Sequence, residues 1–220
     1  MQHILLFDLD GTLTDPGIGI TNSVMYALKT FGIIEHDRTK LYPFIGPPLL
    51  NSFMEFYGFD EPKAEEAVTR YREYYRDKGI YENVVYNGIP ELLKQLNAKG
   101  EIILLATSKP EAFAKQILTH FDLMQYFTIA AGSDFEQTRN TKSKVIAYAL
   151  DMYAQMSGDN IPALKERAIM IGDRSYDIEG AKENDIFSVG ALWGYGSREE
   201  LEKAGADRVI ETPEELFRYL

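Results

Sequence analysis

The feature that most constrains this chain is a short apolar segment that ends abruptly in two carboxylates. Ile4 to Phe7 are large and apolar, a pattern typical of a buried strand. Asp8, Asp10 and Gly11 follow. Residues two apart lie on the same face of a strand, so two negative charges meet at its end. This is costly unless a cation neutralises them or one carboxyl is protonated. A strand end with an ordinary polar turn is the alternative interpretation.

The second half of the chain alternates between apolar runs and amphipathic segments. Buried strands are predicted for residues 102–106, 127–131, 168–171, 187–191 and 208–210. Helices are predicted for residues 90–99, 110–120, 142–156, 175–184, 199–204 and 213–220. This alternation predicts an α/β fold, with a mostly parallel sheet and helices on both of its faces.

Residues 16–85 have a different pattern. They predict helices at 20–31, 49–57 and 62–78 and contain no convincing strand. We therefore expect an α/β core of residues 1–15 and 86–220, with residues 16–85 inserted as a helical domain. Ligands of open α/β sheets bind beyond the carboxyl ends of the strands. A domain inserted after the first strand would thus lie over the acidic strand end and act as a lid.

Composition excludes several classes of function. The 34 acidic and 23 basic residues give a net charge of -11, which argues against a nucleic-acid or anionic-membrane surface. The absence of cysteine excludes disulfides and a cysteine nucleophile. No apolar run has the length of a membrane span, and the N-terminus does not resemble a signal peptide. We therefore expect a cytoplasmic protein.

A second candidate site follows the predicted strand at 102–106. Thr107 and Ser108 stand between this strand and a helix. The free N–H groups and positive dipole of a helix N-terminus suit a phosphate group. The alternative is that one hydroxyl simply caps the helix. We expect the next residue, Lys109, to be exposed to solvent.

Two further segments carry charged residues near helix starts. Lys142 and Lys144 stand at the start of a predicted helix, where cations oppose the helix dipole, so one of them is a candidate for another role. Asp173 and Asp177 follow the strand at 168–171. They could merely stabilise the next helix. Together with Asp8 and Asp10, however, they form a set of oxygen-only ligands that suits Mg²⁺.

The four segments, in this order, resemble the four motifs of the haloacid dehalogenase-like (HAD) hydrolase superfamily, most of whose members are phosphatases. The first motif stands here as Asp8-Leu9-Asp10-Gly11-Thr12, and the resemblance covers all 220 residues. It implies a Rossmann-like core and a helical C1 cap. The loop 44–49 and the segment 86–90 most resemble the phosphoglycolate phosphatase-like members.

The resemblance also implies catalytic and metal-binding roles. Asp8 would be the nucleophile that becomes an aspartyl phosphate, and Asp10 would serve as the acid and then the base. Mg²⁺ would be held by Asp8, the backbone carbonyl of Asp10 and Asp173, with Asp177 nearby.

Phosphate binding is implied in the same way. Thr107, Ser108 and the backbone near Gly11 would hold the phosphate oxygens. Lys142, with Lys144 as the fallback, would pair with the phosphoryl group.

The cap would select the substrate. Four cap residues are predicted to form a wall over the site, although ordinary packing is an equal alternative: Phe44, Ile45, Gly46 and Pro47. The predicted function is a Mg²⁺-dependent phosphatase that acts on a small phosphorylated metabolite and is phosphoglycolate phosphatase-like. The alternatives are a 5'-nucleotidase or pyrophosphatase, a β-phosphoglucomutase-like phosphomutase, and a non-catalytic phosphate-binding module. No oligomeric state is predicted.

Overall fold

The computed structural model describes residues 2–134, 136 and 138–220. The chain forms two compact units, one of Met1–Thr14 with Val85–Leu220 and one of Asp15–Val84. The strands in chain order are β1 (Ile4–Phe7), β2 (Thr14–Asp15), β3 (Val84–Val85), β4 (Ile102–Pro110), β5 (Ile129–Ser133), β6 (Ala168–Gly172), β7 (Phe187–Ala191) and β8 (Arg208–Ile210). β2 and β3 pair at the point where the chain passes between the units.

The larger unit is built on one six-stranded sheet. Its strand order is β5-β4-β1-β6-β7-β8, and the paired neighbours run parallel. Its helices are α4 (Ile89–Ala98), α5 (Glu111–His120), α6 (Lys142–Ser157), α7 (Ile161–Lys165), α8 (Ser175–Glu183) and α9 (Arg198–Ala204), with 3-10 helices at Met124–Tyr126 and Pro213–Tyr219. The predicted α/β class, a mostly parallel sheet with helices, is confirmed.

The central strand β1 lies between β4 and β6, which explains its uniformly apolar sequence. Ile4 and Leu6 belong to a core cluster that includes Val145, Ile146 and Leu150 of α6. The alternate residues of β1 point to the other face of the sheet and are also fully buried. From β1 the sheet is extended by β4 and β5 on one side, and later in the chain by β6, β7 and β8 on the other. The strand order therefore reverses between β1 and β6, and open α/β sheets bind their ligands at such a switch point.

Several boundaries differ from the predictions. β4 continues to Pro110 instead of ending at residue 106, and α5 begins at Glu111. The strand predicted at 127–131 is observed at Ile129–Ser133. Residues 213–219 form a 3-10 helix and not an α-helix. α7 was not predicted, because five residues are too few to display helical periodicity.

The smaller unit contains α1 (Gly17–Thr30), α2 (Leu49–Tyr57) and α3 (Glu61–Tyr74), with a 3-10 helix at Arg38–Phe44 and a short π-helix at Tyr75–Gly79. Phe44 lies in its aromatic core, with ring centroids 5.0 Å from Phe53 and 5.3 Å from Phe56. No helix among the described residues of either unit is both long and apolar enough to cross a membrane.

Candidate active site

Three buried carboxylates meet at the carboxyl ends of β1 and β6. Asp8 directly follows β1, and its backbone N–H donates to the Ile171 carbonyl of β6 at 2.9 Å. Asp173 follows β6, and Asp177 lies in the first turn of α8. Each residue contributes one carboxylate oxygen to a group whose atoms all lie within 4.8 Å of one another. We call Asp8, Asp173 and Asp177 the acidic trio.

Lys142 supplies a positive charge to this trio. It is the first residue of α6, and it is buried. Its Nζ lies 2.7 Å from Asp8 Oδ1 and 2.7 Å from Asp177 Oδ1, and it donates to the Ala106 carbonyl at 3.1 Å. Lys144 is instead exposed, and its ammonium donates to a neighbouring side chain, Asn140. Of the two lysines considered from the sequence, Lys142 is therefore the one beside Asp8.

Burial and the neighbouring charges shift the pKa values of Asp173, Asp177 and Lys142. Burial raises the pKa of Asp173 well above its usual value, and repulsion from Asp177 and Asp8 adds to this effect. Burial also raises the pKa of Asp177 to about 6, although Lys142 opposes the rise. For Lys142, burial acts to lower the pKa, but attraction to Asp177 and Asp8 outweighs it, so its pKa is raised.

The charges of this cluster fit a bound cation. The Lys142 ammonium contacts two of the three carboxyl groups, those of Asp8 and Asp177, and burial raises the pKa values of Asp173 and Asp177. The donor atoms are all oxygens from carboxyl groups, the ligands that Mg²⁺ prefers. The residues present therefore suit a divalent, hard cation.

Asp10 forms a separate ion pair. Lys109 Nζ lies 2.6 Å from Asp10 Oδ2, and both side chains are largely buried. Burial raises the pKa of Asp10, whereas Lys109 acts to lower it. The expectation that Lys109 is exposed is wrong. β4 continues through Lys109 with a register shift between Thr107 and Pro110, so the residue lies inside the strand and not in a surface turn.

Thr107 and Ser108 lie within β4. Thr107 is buried, and its hydroxyl accepts a hydrogen bond from the Lys109 backbone N–H at 3.3 Å. α5 begins only at Glu111, after Pro110, and no described side chain caps it. The alternative that Thr107 or Ser108 caps this helix is therefore wrong, and their role in phosphate binding stays a prediction.

Gly11 brings the first loop close to Asp173. Its φ is +86°, and a Cβ at this position would collide with the Asp173 carboxylate. Its N–H donates to the Thr14 carbonyl at 2.8 Å. In this structure Gly11 therefore allows close packing, while its N–H is engaged within the loop.

The sequence interpretation missed the segment Trp193-Gly194-Tyr195-Gly196, which follows β7. The Tyr195 backbone N–H donates to Asp173 Oδ2 at 2.8 Å, and the Trp193 indole donates to the Thr12 carbonyl at 2.9 Å. The sequence did contain a signal for this segment, namely two glycines that alternate with aromatic residues after a predicted strand. Glycines in such a position indicate that another backbone segment approaches closely.

The four predicted specificity residues lie in the smaller unit. Phe44 and Ile45 are buried, whereas Gly46 and Pro47 are partly exposed. The Phe44 ring packs against other aromatic side chains of the same unit, which is the packing role weighed from the sequence. A role in substrate selection stays a prediction for all four.

The fold and the site together define an α/β enzyme with an acidic, lysine-containing centre at the switch point of its sheet. The model of the family described as "Haloacid dehalogenase-like hydrolase" matches residues 5–191. The chain belongs to this family of hydrolases.

Similar proteins and solved structures support the assignment to this family. A 5'-nucleotidase of Pseudomonas aeruginosa is 48% identical over 197 residues, which span 90% of this chain and 86% of the relative. A crystal structure of a predicted phosphatase from Clostridium acetobutylicum has 45% identity and a TM-score of 0.92, covering 100% of this chain and 98% of the other. The family prediction and the prediction of a phosphatase are confirmed, and phosphoglycolate phosphatases are also among the relatives.

One similar protein has a different name. The "Tyrosine-protein kinase PtkA" of Mycobacterium tuberculosis is 38% identical over 201 residues, which span 91% of this chain and 66% of the relative. The same fold therefore occurs in proteins named for phosphate removal and in one named for phosphate transfer to tyrosine.

Proposed function

We propose that this chain is a Mg²⁺-dependent phosphatase that hydrolyses a small phosphomonoester through an aspartyl phosphate on Asp8. One observation carries the proposal: the Lys142 ammonium lies 2.7 Å from Asp8, which itself belongs to the buried acidic trio. A carboxylate nucleophile, a fixed positive charge and a cation site thus coincide at one strand end.

The first chemical step forms the covalent intermediate. A carboxylate oxygen of Asp8 attacks phosphorus as the ester P–O bond breaks, and Asp10 gives its proton to the leaving oxygen. Burial raises the pKa of Asp10, which favours the protonated form that this step needs. Lys142 stays protonated and attracts the oxygens of the transferring group.

The second step regenerates the enzyme. Asp10, now a carboxylate, accepts a proton from water, and the water oxygen attacks phosphorus. The bond between phosphorus and Asp8 breaks, so inorganic phosphate leaves and the Asp8 carboxylate is restored.

Mg²⁺ would be held by Asp8, the Asp10 carbonyl and Asp173. When bound, it would neutralise charge on the phosphoryl group and reduce its repulsion from Asp8. Asp177 would hold Lys142, because its Oδ1 contacts the ammonium while its Oδ2 accepts the Arg174 backbone N–H at 3.1 Å.

The hydroxyl of Thr107 and the N–H of Ser108 would bind phosphate oxygens. Residues of the smaller unit would close over the substrate and select it, with Phe44, Ile45, Gly46 and Pro47 as the candidates. A cytoplasmic location agrees with this role in small-molecule metabolism.

A nucleoside 5'-monophosphate is the first substrate to test. This choice rests on the 48% identity to a 5'-nucleotidase along nearly the whole chain. Phosphoglycolate and pyrophosphate are the alternatives within the same chemistry. A β-phosphoglucomutase-like activity is disfavoured, because such sequences carry a histidine soon after the first motif and residues 14–25 contain none.

The deciding experiment measures phosphate release from a panel of nucleoside monophosphates, phosphoglycolate, pyrophosphate and sugar phosphates, with and without Mg²⁺. Asp8→Asn is the test variant, and Asp151→Asn, on the exposed side of α6, is its control. We expect turnover that needs Mg²⁺ and disappears in Asp8→Asn alone. Activity that survives in Asp8→Asn would refute the nucleophile. A further arm with ATP and a tyrosine peptide tests phosphoryl transfer.

A further inference from the structure

The loop that joins β7 to α9 contacts the site at two points. We call residues 193–196 the β7–α9 loop. The Trp193 indole donates to the Thr12 carbonyl at 2.9 Å, and the Tyr195 backbone N–H donates to Asp173 Oδ2 at 2.8 Å. The Thr12 hydroxyl donates to the other carboxylate oxygen, Asp173 Oδ1, at 3.2 Å. Both oxygens of Asp173 are thus held, one by the loop and one by a residue that the loop contacts.

The two glycines of the loop permit this contact. A Cβ on Gly194 would collide with the Gly11 carbonyl oxygen and with Asp173 Cβ. A Cβ on Gly196 would collide with the Asp173 carbonyl oxygen. The loop backbone therefore packs directly against the backbone of the first motif and of Asp173, and no side chain fits between them.

We propose that the β7–α9 loop is a positioning element that orients the Asp173 carboxylate and thereby sets the affinity of the site for a divalent cation. Hydrogen bonds to a ligating carboxylate fix its direction before the cation arrives, so less order is lost on binding. Trp193, Gly194 and Gly196 act through Asp173 and Thr12, so they are positioning residues. The inference rests on the proposed function in one respect, namely that Asp173 is a metal ligand.

Trp193 and Gly194 contribute to the orientation of Asp173 in two different ways. Trp193 acts through one side-chain hydrogen bond, so its replacement by phenylalanine removes the N–H donor and keeps an aromatic ring. Gly194 acts through close approach, so alanine at this position pushes the loop away from Asp173. The second change disturbs both oxygens of Asp173 and therefore has the larger expected effect.

The test is calorimetric titration of the full chain with MgCl₂ alone, without substrate. The variants are Trp193→Phe and Gly194→Ala. The matched control is Gly190→Ala in β7, where the new Cβ meets the flexible Leu201 side chain, 2.9 Å away, and no site residue. Thermal unfolding of each metal-free variant measures any general loss of stability.

We expect Gly194→Ala to weaken Mg²⁺ binding by about 10-fold or more and Trp193→Phe by a smaller factor, as for partners of metal ligands in general. Gly190→Ala should lose stability without losing Mg²⁺ affinity. If Gly194→Ala does not fold, the Mg²⁺ affinity of Trp193→Phe alone supports or overturns the inference. Unchanged Mg²⁺ affinity in Trp193→Phe and Gly194→Ala would overturn the inference, as would a wild-type chain that does not bind Mg²⁺.

A second measurement separates this inference from the proposed phosphatase function. In the variants, the Mg²⁺ concentration for half-maximal phosphate release should rise, while the rate at saturating Mg²⁺ recovers most of its wild-type value. Wild-type protein that binds Mg²⁺ but hydrolyses no ester would refute the phosphatase, whereas the calorimetric comparison would still support or overturn the role of the loop.

Discussion

The ammonium of Lys109 lies 2.6 Å from Oδ2 of Asp10, and both side chains are largely buried. This ion pair is separate from the one between Lys142 and Asp8. The site thus contains two lysines, each beside one of the two aspartates of the first motif. The pair fixes the direction of the Asp10 carboxyl, which the proposed mechanism uses to protonate the leaving oxygen.

Replacement of Lys109 by methionine should affect poor leaving groups most. A nucleoside monophosphate needs a proton on its leaving oxygen, so misplacement of Asp10 should lower kcat by about 100-fold. The leaving group of p-nitrophenyl phosphate departs without a proton, so its kcat should fall much less. Steady-state kinetics on both esters measures the difference, with Lys144→Met as the control. Equal losses on the two esters would mean that Lys109 does not act through Asp10.

Removal of the Lys142 charge should reduce both activity and stability. In Lys142→Met, Asp8 and Asp177 keep their buried carboxyl groups without the ammonium that contacts both. Breaking a buried ion pair in this way typically costs about 3 kcal/mol or more. Urea unfolding of the metal-free protein at neutral pH measures this cost. The exposed Lys144→Met should lie within about 0.5 kcal/mol of wild type. Similar losses of stability in Lys142→Met and Lys144→Met would contradict the buried contacts of Lys142 with Asp8 and Asp177.

The metal-free protein should lose stability as Asp173 and Asp177 ionise. The pKa of Asp177 is about 6 in the folded chain, against about 3.9 for an unperturbed aspartate. The folded state therefore holds more protons than the unfolded state between these values, so this residue makes stability fall as pH rises from about 4 to 6. The raised pKa of Asp173 acts in the same direction.

Thermal unfolding at pH 5 and at pH 7 checks this effect. The Tm of wild type minus that of Asp177→Asn should decrease as the pH rises, because the variant lacks the ionisation. Saturating Mg²⁺ should reverse the decrease in wild type, since a cation stabilises the ionised carboxylates. A difference in Tm between wild type and Asp177→Asn that does not change with pH would refute the raised pKa of Asp177.

In the smaller unit, Phe44 and Pro47 should respond differently to replacement. Phe44→Ala removes a fully buried ring that contacts other aromatic side chains, so it should destabilise the protein by about 3 kcal/mol or more. Pro47→Ala removes little buried surface but alters the loop beside Gly46, so it should change the ranking of substrates. The free energy of unfolding and the substrate panel measure the two effects. An unchanged ranking in Pro47→Ala would remove that residue from the specificity prediction.

Shortening the loop around Gly46 gives a broader test of the same region. We expect the preference among phosphomonoesters to change more than the Mg²⁺ concentration for half-maximal activity, because the acidic trio belongs to the other unit. Equal activity on every substrate before and after shortening would contradict a role in selection.

Much of the fold could be predicted from local pattern. The uniformly apolar Ile4–Phe7 segment indicated a strand buried on both faces, and β1 is the central strand. The predicted boundaries of β7 and β8 agree with the observed ones. The end of β4 could not be predicted in this way, because its register shift depends on pairing with β5.

The sequence by itself determined the class of fold, the family and the candidate residues of the site, because strand ends, glycines and carboxylates are local features of the chain. Only the tertiary structure decided how the charges pair. In the folded chain, Lys142 contacts Asp8 and Asp177. Lys109, which was expected at the surface, pairs with Asp10. The Tyr195 backbone N–H donates to Asp173. These contacts join residues that are far apart in the chain. They depend on burial and on the attraction between charges that only the folded structure brings together.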